Sequence, residues 1–185
     1  MSTAETSVAV PSGTWELDPA HSSINFSVRH LRVSKVRGRF TSFTSVIKID
    51  DDPLKSEVDV TIDAASIDTR DEQRDAHLRS PDFLDVEKWP TLTFKSTAVR
   101  HLGGSRYEIQ GHLTVKDVTR PVTLEAELQG IQPDPWGNTR MGFEARTEIN
   151  RKDFGLTWNM PLEGGGVVVG DKVTIEIEVE AVLKK

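Results

Sequence analysis

Apolar and polar residues alternate with a period of two along most of this 185-residue chain, the spacing at which successive side chains of a strand point to opposite faces. Ile24, Phe26 and Val28 stand between polar Asn25, Ser27 and Arg29. The pattern returns in Phe43, Ser45, Ile47, Ile49, in Val58, Val60, Ile62, Ala64, and in Leu92, Phe94, Ser96, Ala98. It continues in Tyr107, Ile109, Gly111, Leu113, Val115, in Val122, Leu124, Ala126, Leu128, and in Met141, Phe143, Ala145, Thr147, Ile149. The last row is Val173, Ile175, Ile177, Val179, Ala181, Leu183, which makes eight predicted strands. The turns between them include Asp50-Asp51-Asp52-Pro53, Gly103-Gly104, Asp117 ahead of Pro121, and Pro133 to Asn138. Connections this short favour antiparallel neighbours.

Because every row has one apolar and one wet face, the sheet has to close around a single interior or fold into a two-layer sandwich. Eight up-and-down strands make a barrel that is filled by its own side chains or holds one small ligand. The rows repeatedly place small residues among large ones: Ser45, Ala64, Ser96, Ala98, Gly111, Ala126, Ala145 and Ala181. Two readings are open, taper-matching in a packed interior and an apolar tunnel. Against this background Arg70 to Pro90 breaks the alternation. Thr69 with Glu72 fits a capping box, and Asp71 to Arg79 reads as a short polar helix stopped at Ser80-Pro81. Its only apolar residues are Ala76 and Leu78, so it is expected across a barrel rim rather than in the core. Phe83, Leu84, Val86 and Trp89 then either turn inward to line one mouth or cover the outer edge.

Composition narrows the function classes. The hydrophobic fraction of 36% and charged fraction of 28% suit a folded soluble domain, and no run of about 18 apolar residues occurs. A net charge of −6 gives no electrostatic reason to approach nucleic acid or an anionic membrane surface, so neither is expected as a partner, and no membrane insertion is expected. With no cysteine there is no disulfide, thiolate ligand or Cys nucleophile. The N-terminus lacks a basic start and an apolar h-region, which leads to the expectation of a cytoplasmic protein. Residues 1–12 are expected to form a flexible tail and 13–185 one barrel domain.

Candidate chemistry is sparse. His21, His30, His77, His101 and His112 include no i, i+4 helical pair, so no metal site is expected, and His30 and His112 are expected to face outward. Asp18, His21 and Ser22 or Ser23 permit a hydrolase reading, but no G-x-S-x-G elbow is present and Asp-Pro with Ser also makes a turn. Gly164-Gly165-Gly166 lacks the Lys-Ser/Thr of a phosphate loop and is read as a flexible loop before the last strand. Asn150 to Trp158 interrupts the alternation as a bulged junction or another mouth-lining piece. Arg120 is a candidate head-group partner, with an exposed turn arginine as the plainer reading.

Four stretches together resemble the YceI-like family of lipid-binding proteins: Trp15 to Ser22, Phe26 to Leu31, Ser80 to Pro90, and Asn150 to Leu156. The resemblance runs from about Gly13 to the end of the chain. It implies an all-β fold, an extended eight-stranded antiparallel lipocalin-like barrel with one short helix near a barrel end. It also implies an apolar tunnel for a long chain such as a polyisoprenoid, a polyprenyl quinone or a fatty amide, with no catalysis and no cofactor beyond that lipid. Many relatives act in the periplasm, and the resemblance leaves a homodimer open. On this reading Phe26, Val28, Phe43, Ile47, Val60, Ile62, Phe94, Ile109, Phe143 and Ile175 line the tunnel, with Phe83, Leu84, Trp89, Phe154 and Trp158 near its openings. The rival readings are a lipid- or isoprenoid-modifying enzyme using His21 with Asp18 or His77 with Asp75, and an empty barrel serving as an interaction module.

Overall fold

The computed structural model describes residues 10–31, 33–160 and 168–184. The described chain forms β1 (Gly13–Leu17), β2 (Ser23–His30), β3 (Ser34–Phe40), β4 (Phe43–Ile49), β5 (Glu57–Asp63), β6 (Ile67–Asp68), α1 (Glu72–Arg79), β7 (Thr91–Gly103), β8 (Arg106–Val115), β9 (Val118–Pro133), β10 (Thr139–Asn150) and β11 (Val169–Leu183). Three pairs of these segments are single rungs broken in the middle. β1 and β2 lie end to end along one edge of β11, β3 and β4 run on from each other along β2 and β1, and β5 and β6 follow along β4 and β3. Counted as rungs, the strands form an eight-stranded antiparallel barrel, closed where β11 pairs with both β1 and β2.

The breaks have local causes. Asp18 accepts from the Ala20 N–H at 3.0 Å, with Pro19 next in the turn, and Asp63 accepts from the Ala65 N–H at 3.1 Å. Each Asx contact substitutes for ladder bonds at that point and lets the rung bend. Two bulges reset which residues face inward. On β7, Ser96 faces Gly111 and Ala98 faces Gln110, so Thr97 is the extra residue. The inward row therefore passes from Phe94 and Ser96 to buried Val99 and then His101, and Ala98 is not in it as its alternation predicts. On β9, Gly142 faces Gly130 but Phe143 faces Leu128, which leaves Gln129 as the bulge.

Two glycines carry the placement of large rings. A Cβ on Gly38 would lie 2.4 Å from Phe26 Cζ, and one on Gly111 would lie 2.5 Å from both Phe94 Cζ and the Lys95 carbonyl. Each ring lies against the neighbouring strand's backbone. Gly111 is thus filled by Phe94, not a source of open volume, and Ala181 is fully covered in a cluster with Trp15, Ile47 and Met141. Ser96 is used differently again, its hydroxyl accepting from the Val58 N–H at 2.8 Å.

α1 is capped by Asp71, whose Oδ1 accepts from the Gln73 and Arg74 N–H groups at 3.1 Å each. Thr69, expected as the cap, instead donates through both its N–H and its hydroxyl to buried Asp75. Gly111→Ala is expected to lower stability by about 1–3 kcal/mol, because backbone and a seated ring both have to move. The shift of the urea unfolding midpoint measures it.

Candidate functional site

The closed ring surrounds a cavity of about 580 Å³ running from mid-barrel to the end covered by α1. Phe26, Val28, Phe43, Val60, Phe143 and Ile175 point into it and are only half-buried. In a packed barrel such side chains would touch their counterparts across the axis. Here their inner surface faces open lumen. Ile47, Ile62, Phe94 and Ile109 complete the deeper wall, and Leu124, Val173 and Ile177 from the alternating rows line it too, with Val36 from β3. Ser45 and Ala145 are the small inward residues that border open space. A second cavity of about 270 Å³ lies toward the other end, among Leu128, Met141, Val99 and the stacked rings of His101 and Tyr107, 4.6 Å apart. Ile47, Val58, Ile109 and Phe143 face both and form the waist between them.

The mouth brings together groups distant in sequence. Phe83 and Leu84 turn inward after α1, and Trp158 reaches the same place from the segment after β10. The His77 ring meets Phe83 edge-on at 5.1 Å and Trp158 at 4.6 Å, while its Nε2 pairs with Asp82 Oδ2 at 2.8 Å. His77 is therefore a member of an aromatic rim held by Asp82. The pairing with Asp75 that the rival enzyme reading requires does not form, because Asp75 is turned under α1 to receive Thr69. His30 also borders the mouth, where outward exposure was expected, whereas His112 is exposed. Two expected mouth residues lie outside the lining. Trp89 is half-buried with the Lys88 amine 5.5 Å from its ring, and Phe154, the last residue of the short helical turn Arg151–Phe154, is buried in the core. Arg120 likewise stays outside, exposed and donating to the Asp153 carbonyl at 3.2 Å. Gly164 to Gly166 lie outside the described residues.

Arg151, 2% exposed, organises this end. Its Nε donates to the Gly170 carbonyl at 2.8 Å, its Nη1 to those of Leu156 at 2.6 Å and Trp158 at 2.9 Å, and its Nη2 to that of Val169 at 3.3 Å. One planar guanidinium thus ties both sides of the β10–β11 connection to the mouth. Burial lowers its pKa, opposed by the Asp171 carboxylate, and arginine's high ordinary value keeps it charged. In the sequence Arg151 stands inside the Asn150 to Leu156 stretch with nothing that marks it apart from its neighbours except its place at a strand end, just where apolar alternation stops.

His21, Asp18 and Glu180 form the one described cluster with donors close enough for a metal, on the barrel's outer seam. Arg140 already occupies it, its Nη1 2.9 Å from both Asp18 Oδ2 and Glu180 Oε2 and its Nε 2.8 Å from Asp134 Oδ2. His21 Nδ1 pairs with Asp18 Oδ2 at 2.8 Å, and this hydrogen bond raises the histidine pKa and lowers the carboxylate's. Ser22 donates to the Glu180 carbonyl and accepts from the Glu180 N–H, so its hydroxyl closes the β1–β2 break and is not presented to a base. The group pins the broken first rung to β10 and β11.

Two outcomes follow. Asp134 is pushed up by burial, but hydrogen bonds from Arg140 and the Asn138 and Trp136 N–H groups outweigh this and leave its pKa at about 2. Its folded value lies below the unfolded one, so its stabilisation is present above about pH 4 and is lost as pH falls toward 2. Asp134→Asn is expected to flatten that part of the stability profile in acid titrations monitored by circular dichroism. Arg151→Lys, with three donors in place of a five-donor fork, leaves mouth carbonyls unpaired and is expected to cost about 1–3 kcal/mol in denaturant unfolding.

Comparison with known proteins agrees with the geometry. The YceI-like domain family matches residues 15–181. Protein YceI of Salmonella newport is 42% identical over 166 residues, covering 89% of this chain and 83% of that protein. Burkholderia cenocepacia BcnA superposes with a TM-score of 0.77 at 24% identity, over 89% of this chain and 99% of that one. A polyisoprenoid binding domain from Saccharophagus degradans superposes with a TM-score of 0.70 at 14% identity, over 94% of this chain and 100% of that one. The barrel, the helix at its end and the match over nearly the whole chain agree: the chain belongs to the YceI-like family.

Proposed function

We propose that this protein binds and carries a long apolar chain of the polyisoprenoid or prenyl-quinone class in its lumen and releases it unchanged. The observation that carries the reading is the half-buried inward face of Phe26, Val28, Phe43, Val60, Phe143 and Ile175. Such side chains gain contacts from an oily guest that water does not supply. The name of the Saccharophagus relative points to the same ligand class. Each buried methylene contributes about 0.8 kcal/mol and an isoprene unit roughly 4. Roughly two or three units then suffice for micromolar binding, about −8 kcal/mol, after ordering costs. A methylene is about the size of a water molecule, whose share of liquid volume is about 30 Å³, so a 580 Å³ cavity takes roughly twenty carbons.

Freshly purified protein examined by native mass spectrometry is expected to carry an adduct of a few hundred daltons that organic solvent extracts. A clean unliganded mass, together with no uptake of farnesol or geranylgeraniol by the purified protein, would contradict the proposal. The waist sets the length limit, since discrimination per misplaced methylene is about 1–3 kcal/mol. Phe143→Ala joins the two chambers and is expected to move the preferred prenol toward longer chains in competition binding.

A further inference from the structure

We infer that the β2–β3 hairpin is a docking edge that sets the tunnel mouth against an anionic lipid surface; its role in ligand exchange rests on the carrier reading above. Between Asp18 and Asp50 the sequence contains no Asp or Glu, although the chain as a whole carries a net charge of −6. Arg29, Lys35 and Arg37 stand exposed on the outward row of this hairpin, with Arg29 opposite Lys35 in the ladder. At its tip Leu31 is exposed and Val33 is 82% exposed. Leu31 N–H donates to the Val168 carbonyl and Val168 N–H to that of Met160, which places a third exposed apolar side chain beside them. The inner face of the same hairpin, through Val28, His30 and Val36, lines the mouth. The feature that interacts with the surface and the feature that opens the lumen are thus two sides of one ribbon.

Charge decides the occupant and the orientation. The turns at the opposite end also expose apolar residues, Leu54, Leu102 and Trp136, but Asp50, Asp51 and Asp52 stand in the Leu54 turn and Asp134 in the Trp136 turn, while beside Leu102 the cations Arg100 and Arg106 face Glu108 and Glu127 across the ladder. An anionic surface repels that end and attracts the hairpin. Of the carboxylates around the mouth, Asp71, Glu72 and Asp82 belong to the α1 side, while Asp171 is paired with Arg151 and Lys152 and Asp68 with Arg39, which tilts the contact onto the hairpin edge. Apolar tip residues flanked by cations match the interface of an anionic bilayer, where the tip side chains enter the headgroup region and the cations meet lipid phosphates. An apolar guest then passes between bilayer and lumen without crossing open water, the step that its low solubility makes slow.

The test is flotation of the full chain with vesicles of phosphatidylcholine alone or of equal parts phosphatidylcholine and phosphatidylglycerol. Expected is roughly tenfold or greater enrichment on the anionic vesicles at about 0.01 M salt, falling steeply by about 0.15 M. Lys35→Glu with Arg37→Glu, and separately Val33→Asp, are expected to abolish the enrichment while circular dichroism and uptake of farnesol from detergent micelles stay as in the wild type. Equal flotation with both vesicle types, or full anionic binding by these variants, would overturn the inference. Failure of the wild type to take up farnesol from micelles would sink the carrier reading instead and leave the vesicle result to judge the docking edge by itself.

Discussion

The ladder between β11 and the broken β1–β2 rung is the constraint on which the remainder rests. It closes the ring, removes the free edges that an open sheet would expose, and forces every inward row to share one enclosed volume. The Arg140 cluster, Trp15 and Ala181 all act at this seam, one by ion pairs on the outside and the others by packing within. Once closed at eight rungs, the wall holds its side chains around a lumen that the mid-barrel residues do not fill. The consequence is an apolar surface that is neither packed nor in bulk water.

Alternation made the barrel legible, because period two survives wherever a strand has one wet face. Where it failed, the physical reason is local. β3 went unseen because its inward positions are Val36, Gly38 and Phe40, and the glycine sits there to receive the Phe26 ring from β2. β1 was too short, and the bulge at Thr97 moved the inward row from Ala98 to Val99. Small residues proved to have three uses: open wall at Ser45 and Ala145, a seat for a ring at Gly111, and a ladder substitute at Ser96.

Contacts between distant segments were less legible than faces. The pairing of His77 with Asp82 instead of Asp75 depends on which way one turn of helix rolls. The exclusion of Trp89 depends on the turns after α1, where Asp85 adopts a left-handed conformation. Arg151 shows the same limit, since its four carbonyl partners come from both sides of a connection that sequence alone does not fold. Charge shows it too: a total of −6 conceals a carboxylate-free ribbon, which the β2–β3 pairing brings to the mouth.

The central claim is that the guest occupies the space bounded by the inward rows. Ser45 borders that space without sealing it, so Ser45→Phe places a ring in the lumen while leaving the wall intact. The decisive measurement is the Kd of this variant for geranylgeraniol beside its thermal midpoint. The account predicts affinity at least tenfold weaker with a midpoint equal to or above that of the wild type. An unchanged Kd in a folded Ser45→Phe protein would place the ligand elsewhere and contradict the account.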